Sequence, residues 1–111
     1  MVDKTIVSGV RRYLKAVNEG GIHVSFGVIF GSQARGGATE ESDIDLLVVS
    51  PVFDGKRTLD DVGELWYCAA KTNSRIEPIP CGEKQWSEDE GSPIIEVARQ
   101  HGQIVSLVEE S

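Results

Sequence analysis

Residues 44–50, IDLLVVS, are apolar on both alternating faces once the segment has begun. A strand of that kind must be covered on both sides, so it belongs inside a sheet with helices packed on it. Residues 23–30, HVSFGVIF, are dense in β-branched and aromatic side chains and predict a second buried strand. Ile6, Val7, Val10, Leu14 and Val17 recur at helical spacing behind an Asp3 cap, and Gly20-Gly21 ends that helix. Residues 31–37 read as a glycine-bounded turn and residues 51–56 as a loop. Thr58 starts a further helix, with Asp61 in its first turn and an apolar stripe of Leu59, Val62, Leu65, Trp66, Ala69 and Ala70. On that reading Trp66 lies in the core. Residues 75–81 form a short extended segment, kept at an edge or end of the sheet by Pro78 and Pro80, which have no N–H to give. Ser92-Pro93 begins a last helix, Gly102 stops it, and residues 104–108 form a last strand. The acidic stretch at 88–91 reads as a surface loop, and Trp86 as a packing residue beside it. The order is αβ–αβ–αβ. It predicts the α/β (α+β) class: one small mixed sheet with helices packed on it, residues 1–111 making a single domain.

The chain has 111 residues, 18 acidic and 11 basic, for a net charge of −7. That balance argues against a protein that grips DNA or RNA by neutralising phosphates, which needs clustered Lys and Arg. It leaves room for a nucleotide whose phosphates arrive with a metal. No apolar run approaches the ~20 residues of a membrane helix, and MVDKTIVSGVRRYLK does not read as a signal peptide. The expected setting is cytoplasmic, without a membrane. Cys68 and Cys81 have neither the number nor the spacing for a disulfide framework or a zinc site, and are read as buried, reduced thiols. His23 and His101 stand at element ends without ligand spacing.

Between the two strands lies FGSQARGGATEESDIDLLVV. Gly31-Ser32 directly follows the first strand. A glycine there lets backbone approach a ligand closely, the following N–H groups can face an anion, and the serine hydroxyl adds a donor. The stretch is not a Walker loop, because Gly37-Ala38 stands where Lys-Ser/Thr is needed, and it has no G-x-G-x-x-G. Asp43-Ile44-Asp45 opens the second strand. Alternation puts both carboxylates on one face, with Cα atoms ~6.6 Å apart at ~3.3 Å per residue. Acids so placed repel each other unless a cation or solvent compensates, and they can converge on a pair of divalent ions.

Gly31-Ser32, ten intervening residues, then Asp43-x-Asp45 resembles the signature of the DNA polymerase beta-like nucleotidyltransferase superfamily. The fuller text, GSQARGG…SDIDLLVV, is similar to its minimal nucleotidyltransferases, small single-domain proteins that often work beside a helical HEPN-type partner. The resemblance implies transfer of a nucleoside monophosphate, AMP from ATP, to an acceptor hydroxyl with release of pyrophosphate. It implies two Mg²⁺ ions held by Asp43, Asp45 and a third carboxylate on a later strand. Glu77 is the candidate, though relatives often carry Asp there; Glu83, Asp54 and Glu96 are alternatives. Glu77 would complete the second metal site or take the proton. Gly31, Ser32 and the amides that follow would hold the β- and γ-phosphates. Arg35 would add a phosphate contact, its competing reading being a salt bridge to Glu40 or Glu41.

Three roles are compatible with these residues. The first is an antitoxin of a toxin–antitoxin system that modifies a HEPN toxin. The second is a non-catalytic module that neutralises a basic partner. The third is a transferase for a small molecule, such as an antibiotic hydroxyl, with a pocket completed by another subunit. A homo- or hetero-oligomer is compatible with each.

Overall fold

The computed structural model describes residues 2–35, 42–55 and 58–108; the side chains of Ser32 and Arg35 lie outside that description. The elements run α1 (Lys4–Glu19), β1 (Phe26–Phe30), α2 (Ser32–Arg35), β2 (Ile44–Val49), α3 (Leu59–Thr72), β3 (Ile76–Cys81), α4 (Glu83–Glu88), α5 (Pro93–His101) and β4 (Gln103–Val105). The sheet order is β3-β2-β1-β4. β1 is antiparallel to β2 and β4, whereas β2 and β3 are parallel, so the sheet is mixed. A parallel pair needs a crossover, and α3 supplies it.

Side-chain oxygens close the starts of the three longer helices. Asp3 accepts from the Thr5 amide at 2.7 Å, Thr58 from Asp61 at 3.1 Å and Ser92 from Ile95 at 3.5 Å. Pro78 and Pro80 sit in β3, an edge strand as expected. β2 is covered on both faces. Ile44, Leu46 and Val48 join α1 and α3 in one core, around Tyr13, Leu14 and Leu65. Leu47 and Val49 join Val28, Phe30, Cys81, Ile95 and Ala98 in a second core beneath α5. Trp86 packs edge-on against Phe26, with centroids 5.9 Å apart. Both cysteines are buried thiols, and neither forms a disulfide. No helix of the described residues is long and apolar enough to cross a membrane.

Several expectations need correction. β1 begins at Phe26 rather than His23, and β4 is Gln103–Val105 rather than 104–108. Gly31 is followed by a turn of helix, α2, and the 51–56 loop contains a 3₁₀ turn at Pro51–Asp54. The helix α4 was not expected at all; six polar-rich residues carry little periodicity, and Asp54 supplies its N-terminal acceptor from a distant loop. The stripe assigned to α3 is half wrong. Leu65 and Ala69 are buried, and Cys68 joins them, but Leu59 and Trp66 face outward. The sequence of α3 carries apolar residues on two faces, and α1 takes the one with small side chains.

Candidate active site

The sheet brings one end of three strands together. Phe30, the last residue of β1, is the register partner of Asp45 near the start of β2, and Asp45 is the partner of Glu77 near the start of β3. Asp45 alternates with Leu47 and Val49, and Glu77 with Ile79 and Cys81, so both carboxylates emerge on the α5 side of the sheet, beyond the end of its core. Asp43 lies two residues before Asp45 and shares that face. Asp45 is half-buried; Asp43 and Glu77 are exposed.

Gly31 closes the site from the β1 side. Its φ is +73°, and a Cβ built there would collide with the Asp45 carboxylate. Glycine is therefore required both for the left-handed backbone and for the space Asp45 occupies. The backbone then enters α2. The Ser32 hydroxyl and the Arg35 guanidinium, both expected to meet phosphate, lie outside the described residues, as do Glu40 and Glu41.

The three carboxylates feel one another. Loss of water raises the Asp45 pKa first, and the Asp43 charge raises it further; a hydrogen bond with Glu77 opposes this. Glu77 is pushed up mainly by the Asp43 charge, then by desolvation and by Asp45. Both carboxyls are thus held above their ordinary range, by burial at Asp45 and by the neighbouring negative charge at Glu77. Such a cluster of acids favours a cation. Its donors are all carboxylate oxygens, the set that suits Mg²⁺. Among the described residues, however, no three His, Cys, Asp or Glu side chains already close on a point that would hold a metal ion.

The alternatives to Glu77 are engaged elsewhere. Glu83 accepts from the Ser25 hydroxyl at 2.7 Å, and Asp54 accepts from the Lys84 amide at 3.0 Å, both beyond the opposite end of the sheet. Glu96 pairs with Arg99 on α5 at 3.5 Å.

Two residues that sequence reasoning passed over fix the approach to Asp43. Arg75 donates from Nε and Nη2 to the Ser42 carbonyl, at 3.0 and 2.8 Å. Gln33, buried beneath the turn, points its amide nitrogen at the carbonyls of Ser42 (3.5 Å) and Asp43 (3.4 Å). The only sequence signal for Gln33 is its position inside the glycine-serine motif. Arg75 stands just before β3, with no motif around it to mark it.

Residues 10–110 match the family described as nucleotidyltransferase domain. No curated protein matches the sequence. Among solved structures, a putative nucleotidyltransferase from Sulfolobus solfataricus is 19% identical, with a TM-score of 0.59 over 88% of this chain and 77% of that one. A toxin–antitoxin structure solved with AMP-PNP is 16% identical, with a TM-score of 0.56 over 91% of this chain and 74% of that one. At these identities the likeness is one of fold, a mixed sheet with helices on both faces. With the family match spanning nearly the whole chain, the protein belongs to the nucleotidyltransferase domain family and is a nucleotidyltransferase.

Proposed function

We propose that the chain transfers AMP from ATP to a hydroxyl on a partner protein, using Asp43, Asp45 and Glu77 as its acidic centre. The observation that carries this reading is the pairing of Asp45 with Glu77 across β2 and β3, directly against the positive-φ turn at Gly31. Asp43 and Asp45 would hold Mg²⁺, with Glu77 completing the set or taking the proton. When bound, two such ions would neutralise the triphosphate and lower the pKa of the acceptor hydroxyl. The Gly31 turn leaves backbone free to approach the phosphates, with Ser32 and Arg35 as their further contacts. The acceptor oxygen attacks the α-phosphorus and its proton passes to a carboxylate. The bond to the β-phosphate breaks, and pyrophosphate leaves.

The adenine choice is supported by the similar toxin–antitoxin structure, solved with AMP-PNP. The same structure supports an antitoxin role; a HEPN-type helical toxin as the acceptor follows from the sequence resemblance alone. A cytoplasmic setting fits two reduced thiols and a nucleoside triphosphate substrate.

Calorimetric titration of the four nucleoside triphosphates, with and without Mg²⁺, tests the centre. ATP is expected to bind only with Mg²⁺, and Asp45→Asn to abolish that binding. Transfer of labelled AMP to a co-purified partner should fall by about 10²-fold or more in the same variant. Nucleotide binding that survives Asp45→Asn refutes the assignment. Labelling of an aminoglycoside-type hydroxyl instead of protein would move the acceptor to small molecules.

A further inference from the structure

The outward face of α3 carries an apolar stripe. Leu59 is 91% exposed, Tyr67 57% and Trp66 49%. At about 100° per residue, Leu59, Gly63, Trp66 and Ala70 fall within about 60° of one another, and all four are exposed. Leu59 and Trp66 stand on either side of Gly63, where a Cβ would meet nothing within 4 Å. Two large side chains separated by a gap form a relief into which another helix can pack. A stripe of this kind, on the face of α3 turned away from the core, marks an association surface.

The charges say what fits there. Asp60 and Lys71 lie on the same flank of the stripe, near its opposite ends. A two-fold axis lying in the seam, perpendicular to α3, runs a second copy of the helix antiparallel and sets like flank against like flank. Asp60 of each copy then comes opposite Lys71 of the other, so two complementary pairs form. A parallel pair puts these flanks on opposite sides and forms neither. Glu64 lies further round the same flank, where its carboxylate accepts from Cys68 Sγ of its own helix at 3.4 Å, away from the seam.

We propose that the protein forms an antiparallel homodimer through α3. α3 ends at Thr72, on the side where β3 begins and Glu77 stands. The antiparallel seam therefore sends the two carboxylate centres to opposite ends of the dimer, each open to substrate. A seam between two four-turn helices is smaller than a standard interface of about 1,600 Å², so the dimer is a weak, concentration-dependent one. This inference is independent of the assignment of the carboxylate centre.

Sedimentation velocity on the full chain, from about 1 µM to about 1 mM, reads the association directly. The mass should rise from 12.1 kDa towards twice that value. Trp66→Glu and Leu59→Glu should each leave a monomer with an unchanged unfolding midpoint. Asp60→Lys should weaken the dimer about tenfold, although it lowers the net repulsion between copies, and adding Lys71→Asp in the same chain should restore it. A monomer at every concentration, or a dimer that survives Trp66→Glu, overturns the proposal. A double swap no tighter than Asp60→Lys alone overturns the antiparallel arrangement.

Discussion

At Gly31 two demands meet: a left-handed backbone and a volume already filled by the Asp45 carboxylate. Gly31→Ala fails on both. The backbone alone should cost about 1–2 kcal/mol, and the collision should displace Asp45, so Mg²⁺-dependent nucleotide binding should fall further than stability does. Chemical denaturation and calorimetry on one preparation separate the two effects. Arg75 poses a different case, because its guanidinium donates to the Ser42 carbonyl, one residue before Asp43. Arg75→Met should leave the fold in place, loosen the Ser42–Asp43 segment and weaken nucleotide binding, with Arg75→Lys recovering part of the loss. Equal binding by the methionine variant would show that Arg75 does not position Asp43. Tyr13 is a purely structural counterpart. Its buried hydroxyl donates to the Leu65 carbonyl at 2.8 Å, and burial holds the phenol well above its usual pKa. Tyr13→Phe should cost about 1 kcal/mol by thermal denaturation and leave nucleotide binding untouched.

Elements were legible wherever a local signal was strong. Asp3, Thr58 and Ser92 each announce a helix, and each proves to accept the amide hydrogen bond of a cap. Asp3 also yields a prediction about pH. The Thr5 amide holds its carboxylate below the usual range. A lowered folded-state pKa means stabilisation that is present above the unfolded carboxylate pKa and is lost as the pH falls through the folded one. Asp3→Ala should therefore melt below the wild type at neutral pH, and the gap should close in acid. A gap that persists at low pH would show that the charge of Asp3 is not what matters. Where signals were local but ambiguous, the reading failed. α4 is short and polar, and its N-terminus is closed by Asp54 from 30 residues away. The α3 stripe was periodic on both faces, so periodicity could not choose between Trp66 and Cys68. That choice belongs to α1, which packs on the side of Leu65, Cys68 and Ala69.

Across the whole molecule, β2 binds the two cores together. Leu46 faces one and Leu47 the other, with Asp45 immediately before them. Leu46→Ala should cost about 2–5 kcal/mol, whereas Trp66→Ala, at an exposed position, should change monomer stability little. Urea unfolding at low protein concentration compares the two. The sequence by itself determined that β2 is central, that the helices start at their caps and that Asp43 and Asp45 share a face, because capping and alternation are local rules written into neighbouring residues. It also singled out Glu77 as a candidate, but among four. Only the tertiary structure shows which of the four stands beside Asp45. The parallel register of β2 and β3 puts Glu77 beside Asp45, and sends Asp54 and Glu83 to the opposite end of the sheet. That register depends on where α3 returns the chain after β2, and so on packing between residues far apart in sequence, which no local pattern encodes.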